Sequence, residues 1–316
     1  MKKAGKDIEK ALRKREDVLT IEAPSYRGSK LEKYFRESVE SSVFRSVDYI
    51  NICDNPVGKV HIDPFLLGNI LMDDFGVSPI AHLTCRNSTL SSIQKRLLGA
   101  DAAGIKNLLV VSGDGGIGDY GNEFTPSYMS SRGIIDGIKN HLNEGRLMPD
   151  HSKRGFEGEE DLKTIENSTD FTVGGVIIPG RKNELKYTKN KIKNGVDFLQ
   201  TQIVYDKNRI YSFIEELSRE VDDCPPILMS VRPVSSFEEI RYIAENIPQV
   251  EVPDSLLKEM KRTDEIRDLS IDTVLDIFDF VKNRIKEDSL DVDVGLHIIP
   301  GDDHDLSESI VEEVKR

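Results

Sequence analysis

The chain of 316 residues has no tryptophan, only three cysteines, and too few cations to balance its anions. Cys53, Cys85 and Cys224 are odd in number and widely spaced, with no Cys-x-x-Cys pair. Neither a disulfide framework nor a thiolate zinc site is indicated. The six histidines show no His-x-x-x-His or related ligand spacing, so no metal site is expected. With 43 Lys plus Arg against 56 Asp plus Glu, the net charge is −13, which argues against binding to nucleic acid or to an anionic membrane surface. No apolar run approaches the roughly 20 residues needed to cross a bilayer. Met1 to Thr20 is charged throughout and lacks the apolar stretch of a secretory signal. The expected compartment is a reducing cytoplasm, and the expected organisation is one domain over 1–316.

What the chain does have is rhythm. Eight short stretches rich in β-branched residues recur: Val18 to Ala23, Tyr49 to Cys53, Pro79 to Cys85, Asn107 to Ser112, Thr172 to Ile178, Phe198 to Tyr205, Ile227 to Val231 and Val292 to Ile299. Most are followed by helical spacing. Leu31 to Val43 carries an apolar stripe, Ser88 is placed to cap the next helix, and others are expected at Lys186–Asn194, Asn208–Glu220, Phe237–Asn246, Asp254–Arg262 and Asp272–Ile285. Strand alternating with helix eight times predicts an α/β (β/α)₈ barrel, with Asp7 to Arg15 as an N-terminal helix over its lower mouth. Two segments break the rhythm: a long Gly- and Ser-rich loop over 115–133, after the fourth strand, and a charged connection over 150–170.

In such a barrel the C-terminal strand ends open onto one face. The residues there are Glu22, Asp54 with Asn55, His82 with Thr84, Asp114, Gln202, Arg232 and His297. A carboxylate ending an apolar strand, as Glu22 does after Val18, Leu19 and Ile21, must be neutralised, hydrogen-bonded or paired. It is either a general acid of raised pKa or a carboxylate tied to a neighbouring Arg or Lys. Asp114, in a Gly-Asp-Gly turn, is either a charge that stabilises a cation or a turn former. Gln202 can both donate and accept, which suits the edge of a heterocycle. Gly113, Gly115 and Gly118 satisfy Gly-x-Gly-x-x-Gly after a strand. The segment that follows contains Gly121 and Pro126 and no apolar stripe, so a ligand-covering loop is expected in place of a dinucleotide-binding turn. A sulfur nucleophile has little support, since Cys85 has only Arg86 as a basic neighbour in sequence.

Together these motifs resemble one family, the methylenetetrahydrofolate reductases. The likeness is carried by Pro79-Ile80-Ala81-His82-Leu83-Thr84-Cys85, the helix through Gln94, Leu97, Leu98, Gly99, Ala100 and Gly104-Ile105, the Ser112-Gly113-Asp114 turn, Thr201-Gln202 and Leu296-His297. It implies a flavin-dependent oxidoreductase of one-carbon metabolism and methionine biosynthesis that reduces 5,10-methylenetetrahydrofolate, or a related methanopterin, to the 5-methyl product. By resemblance Glu22 is the acid that opens the imidazolidine ring, Asp114 lies beside flavin and pterin, and Gln202, Arg232 and His297 contact substrate. Asp54, His82, Thr84, Ser112, Gly113, Tyr128 and Arg181 line the cofactor site. The implied cofactor is FAD, with FMN or no tightly bound flavin as alternatives. The implied donor is NAD(P)H or a protein, and the chain forms a homo-oligomer or a complex with an electron-transfer or methyltransferase subunit. The chain departs from the family after the fifth strand, where Ile178-Pro179-Gly180-Arg181-Lys182 replaces a Pro-Glu-x-His-Pro segment, and also at Ser112 and at Met129 to Arg132. These departures bear on the grip for the adenylate half of FAD. Two other readings follow: a flavin-poor, partner-dependent pterin-binding subunit, and a barrel lyase or aldolase using Lys59 or another base.

Overall fold

The computed structural model describes residues 5–14, 17–34, 43–86, 88–113, 130–149, 164–301 and 303–316. Eight parallel strands close into a barrel in simple chain order, β1 to β8, with β8 pairing back onto β1. They are β1 (Leu19–Glu22), β2 (Tyr49–Ile52), β3 (Ser78–Thr84), β4 (Asn107–Val111), β5 (Thr172–Ile177), β6 (Phe198–Thr201), β7 (Ile227–Val231) and β8 (Val294–Ile298). The helices are α1 (Ile8–Arg13), α2 (Leu31–Tyr34), α3 (Val43–Ser46), α4 (Pro64–Phe75), α5 (Leu90–Ala102), α6 (Ser131–Lys139), α7 (Glu184–Lys193), α8 (Lys207–Glu220), α9 (Phe237–Asn246), α10 (Asp254–Met260), α11 (Ile266–Glu287) and α12 (His304–Val314). The expected (β/α)₈ barrel is thus the fold, and the open sheet of a dinucleotide-binding domain is not.

Side chains alternate along each strand, so the barrel has two cores. The outer one packs strand faces against helices, with Ile21, Ile50, Leu83, Leu108, Val173, Leu199, Met229 and Leu296 fully or almost fully buried. The inner one joins Tyr49, Ile80, Leu109, Phe198 and Leu228 to Ile8 and Leu12 of α1, which plugs the N-terminal mouth as expected. The plug is also hydrogen-bonded at strand starts: Ile8 N donates to Asn107 Oδ1 at 3.0 Å, and Lys6 N donates to Ser78 Oγ at 2.7 Å. Gly174 supplies the space this inner core needs. A Cβ there would stand 2.3 Å from Phe198 Cζ, whose ring is fully buried. Gly174→Ala is therefore expected to lower the unfolding free energy by about 1–3 kcal/mol, the usual cost of overpacking. Urea titration measures it, and Phe198→Leu in the same chain should recover part of the loss.

Several element boundaries differ from the sequence reading. The fifth helix is capped by Thr89, whose hydroxyl accepts from Ser92 N at 3.2 Å, in place of Ser88. β6 ends at Thr201, well short of Tyr205, so Gln202 opens the following loop. α11 starts at Ile266, six residues before the expected Asp272. Of the helix expected over Leu31–Val43, only α2 is described at its start, and Val43 opens α3. α4, α6 and α12 were not anticipated, and α6 begins inside the segment read as the end of a loop.

Candidate active site

Glu22 ends β1 on the C-terminal rim and keeps partial contact with solvent, although protein encloses its carboxyl densely. Burial raises its pKa above the usual carboxylate range; a hydrogen bond from the Cys53 thiol and the nearby Arg232 guanidinium oppose the rise without cancelling it. Of the two sequence readings, the acid of raised pKa fits this balance, because the neighbouring cation does not outweigh desolvation. Arg232 follows β7. Its Nη2 meets Glu239 Oε1 at 3.2 Å, while its Nε is buried and has no partner among the described residues. Its carbonyl accepts from the Tyr205 hydroxyl at 2.7 Å, which fixes the loop. Gln202 N donates to Ile177 O at 2.8 Å, and the side-chain Oε1 accepts from Ile203 N at 3.0 Å, so the side-chain oxygen is engaged with the backbone next to it.

One turn of pleat below the rim lies a polar layer that the sequence reading only partly found. His82 Nε2 is 3.3 Å from Asn51 Nδ2, which donates to Gln200 Oε1 at 2.8 Å. His297 Nδ1 is 2.7 Å from Thr20 Oγ1, and its Nε2 has no partner among the described residues. Because an amide NH₂ donates, His82 presents a lone pair at Nε2 and carries its proton at Nδ1. Burial pushes His82 down to about 4, and burial together with His82 pushes His297 down to about 3. Both rings are neutral at ordinary pH. His297 is fully buried, so it supports the rim from beneath and does not line it. Thr20, Asn51 and Gln200 were missed in sequence; their signal was strand parity, since Thr20 lies two residues before Glu22 and Asn51 two before Cys53.

Other expected residues are engaged with one another. Asp54 Oδ2 accepts from Thr84 N and Thr84 Oγ1, each at 3.0 Å, and lies 3.4 Å from Arg96 Nη1. Arg181 pairs with buried Glu184 and stacks over the Tyr187 ring at 5.1 Å, which turns it onto α7. Ser112 is exposed, and Gly113 has a left-handed backbone, φ +81°, with Thr84 and Arg86 packed against the space a side chain would need. Asp114 and Tyr128 lie outside the described residues. Burial lifts the Cys85 and Cys224 thiols to about 12, so neither is a thiolate nucleophile near neutrality.

The comparisons converge on one group of proteins. The family model for methylenetetrahydrofolate reductase matches residues 7–144 and 178–315. The chain belongs to the methylenetetrahydrofolate reductase family. Among curated relatives, a probable methylenetetrahydrofolate reductase (NADPH) of Caenorhabditis elegans is 25% identical over 234 residues, covering 73% of this chain and 32% of that protein. Methylenetetrahydrofolate reductase 1 of Schizosaccharomyces pombe is 21% identical over 213 residues, 66% of this chain and 32% of the other. The chain thus spans about a third of the length of these relatives. In structure it resembles a Clostridium thermocellum protein described as binding two copies of 5-methyl-5,6,7,8-tetrahydrofolic acid. That likeness has a TM-score of 0.69 at 15% identity and covers 98% of both chains. The EDTA monooxygenase of Chelativorans follows with a TM-score of 0.55, 13% identity and 94% and 93% coverage. At these identities both likenesses concern the fold.

A flavin ring and a pterin ring would compete for the same rim groups, since the unpartnered Arg232 Nε and the Gln202 amide each suit the polar edge of one heteroaromatic ring. Arg181, Asp54 and Thr84, expected to hold the cofactor, are committed to Glu184 and to each other. No described helix is long and apolar enough to cross a membrane.

Proposed function

We propose that this protein reduces the methylene group of 5,10-methylenetetrahydrofolate, or of a closely related reduced pterin, to a methyl group. The observation that carries the reading is Glu22, a carboxyl group at the C-terminal mouth whose pKa burial raises despite the Cys53 hydrogen bond and the nearby Arg232, with Arg232 and Gln202 following strands that open on the same rim. A flavin, when bound, would supply the hydride, and the residues of this chain do the rest. Gln202 and Arg232 bind and orient the pterin through its polar edge. Glu22 donates its proton to the bridging nitrogen that leaves as the five-membered ring opens, and the carbon becomes an iminium electrophile ready for hydride. A general acid positioned in this way contributes about 10²–10⁴-fold. Below the rim, His82 and His297 stay neutral and add no positive charge to repel that cation. The structural neighbour described as binding 5-methyltetrahydrofolic acid supports a folate as ligand, and the family match supports the reductive chemistry. The electron donor is NAD(P)H or a redox protein.

A second reading draws on the internal commitment of Arg181, Asp54 and Thr84. In it the protein is a pterin-binding subunit without tightly held flavin, working beside an electron-transfer or methyltransferase partner. The absorbance spectrum of freshly purified protein, with identification of whatever denaturation releases, separates the two. Yellow protein releasing FAD or FMN supports the reductase, and colourless protein that still binds a reduced pterin supports the subunit.

A further inference from the structure

We propose that Asn51 is the positioning residue of the acid: in the resting protein its buried side-chain oxygen accepts the carboxylic hydrogen of Glu22 and holds it there until a substrate nitrogen takes it. The inference rests on the reading of Glu22 as the acid and adds to it the group that keeps the proton in place.

Strand register makes the two residues neighbours. Glu22 on β1 and Asn51 on β2 are partners in the parallel ladder, and adjacent strands lie about 4.8 Å apart with partner side chains on the same face. That face is the lumen. Tyr49, two residues before Asn51, belongs to the inner core with Ile8 and Leu12, and Asn51 itself bonds His82 and Gln200 of other strands. The Glu22 carboxyl leans toward β2, because the Cys53 thiol that donates to it stands two residues beyond Asn51 in the chain.

The Asn51 side chain is fully buried, and its Nδ2 has two partners, Gln200 Oε1 at 2.8 Å and His82 Nε2 at 3.3 Å. Those contacts fix the plane of the amide and turn its oxygen away from them. Oδ1 is left with no partner among the described residues. A buried amide oxygen seldom stays without a donor, because nothing then offsets its desolvation. The other unpartnered atom of this layer, His297 Nε2, makes no hydrogen bond to it. A protonated carboxyl has the complementary need: its carbonyl oxygen can accept from Cys53, but its hydroxyl requires an acceptor. Asn51 Oδ1 supplies one. Among the described residues, the groups that face Glu22 are Cys53 after β2 and the cation of Arg232 after β7, with neutral His82 and His297 beneath. Cys53 and Arg232 both favour the ionised form, which leaves Asn51 as the side chain that favours the protonated one.

The test reads Glu22 directly in the full-length protein without substrate. Difference infrared spectroscopy over a pH series, wild type minus Glu22→Gln, isolates the carbonyl stretch of the protonated Glu22 carboxyl and its titration. In Asn51→Leu that band should move to higher frequency, as a carboxyl does when its hydroxyl loses an acceptor. Glu22 should also titrate about half a unit to one unit lower in pH, a fall in proton affinity of the size one neutral hydrogen bond supplies. With methylenetetrahydrofolate, the alkaline limb of the reduction should move down equally, while the rate on the acid plateau stays within about twofold, because Glu22 is still protonated there. Gln200→Met breaks the other edge of the same amide and should leave the band and the limb in place. An unchanged band and titration in Asn51→Leu overturn the proposal, as does a Gln200→Met that shifts Glu22 equally, since the layer would then be a scaffold only. Should Asn51→Leu fail to fold, the wild-type band decides: the lower frequency of a bonded hydroxyl supports the proposal, and that of an unbonded one overturns it. Protein that shows the predicted spectra but turns over no folate would overturn the folate reading and leave the pairing of Asn51 with Glu22 standing.

Discussion

Glu22→Gln is expected to abolish turnover of methylenetetrahydrofolate, with a loss of about 10²–10⁴-fold in the step that opens the ring. The amide keeps the shape of the carboxyl and can still accept a hydrogen bond from Cys53, but it has no proton of suitable acidity to give. Because burial raises the pKa of Glu22, its ionised form is the costly one in the folded protein. A neutral amide should leave stability unchanged or higher. The sign follows from linkage: a carboxyl whose folded pKa is raised adds stability below its unfolded value and loses it as pH rises through the folded value. The variant therefore serves as a folded, inactive control. Stopped-flow absorbance should show flavin reduction by the donor proceeding at close to the wild-type rate, while reoxidation by methylenetetrahydrofolate stalls. If both half-reactions survive, Glu22 is not the acid.

The second large effect is an acid limb in stability that comes from inside the barrel. His82 falls from 6.5 to about 4 and His297 from 6.5 to about 3, in both cases chiefly through burial. Groups depressed in the folded state contribute stability that is present above pH 6.5 and lost as pH falls through the folded values. Each tenfold change in proton affinity is worth about 1.4 kcal/mol, so the two rings together correspond to several kcal/mol lost between pH 6.5 and about 3. Glu22 and Asp197, both raised, gain stability toward acid and offset part of this. Urea unfolding at a series of pH values measures the balance. His297→Asn removes the more depressed ring while keeping a polar group beside Thr20, and it should flatten the curve between pH 6.5 and 3. A wild-type profile that is flat in this window, or a variant with the same slope, would show that water reaches these rings freely.

Much of the fold could be read before the structure, because parallel strands buried on both faces leave a dense β-branched signal at regular intervals. The eight strands are of this kind. α4 was missed because Pro64 to Met72 is apolar almost throughout, which hides helical periodicity; its start was marked by Asp63 before Pro64 and its end by Gly76, at φ +70°. α6 was hidden by Gly133 and Gly137 within it, although Ser130 caps it through Gly133 N at 3.2 Å. Gly137 has a packing reason that no local pattern shows, since a Cβ there would stand 2.8 Å from Met148 Sδ.

The rim was legible where one residue acts alone and obscure where residues act on each other. Glu22 stood out as a carboxylate ending an apolar strand. Asp54 stood out equally, but its carboxylate is occupied by Thr84 and shared with Arg96, a contact made across 42 positions of sequence. Arg181 looked available at the end of β5 and is instead folded back onto Glu184 and Tyr187. Pairing of this sort depends on where the third dimension brings a partner, so a polar residue at a strand end announces a position and not yet a role.

The most direct test of the account is anaerobic addition of 5-methyltetrahydrofolate to the purified protein supplied with flavin, followed by absorbance. If the mouth brings a reduced folate against a flavin beside Glu22, the reverse reaction should bleach the flavin bands in wild type and fail to do so in Glu22→Gln. Unbleached flavin in wild-type protein shown to bind both molecules would contradict it.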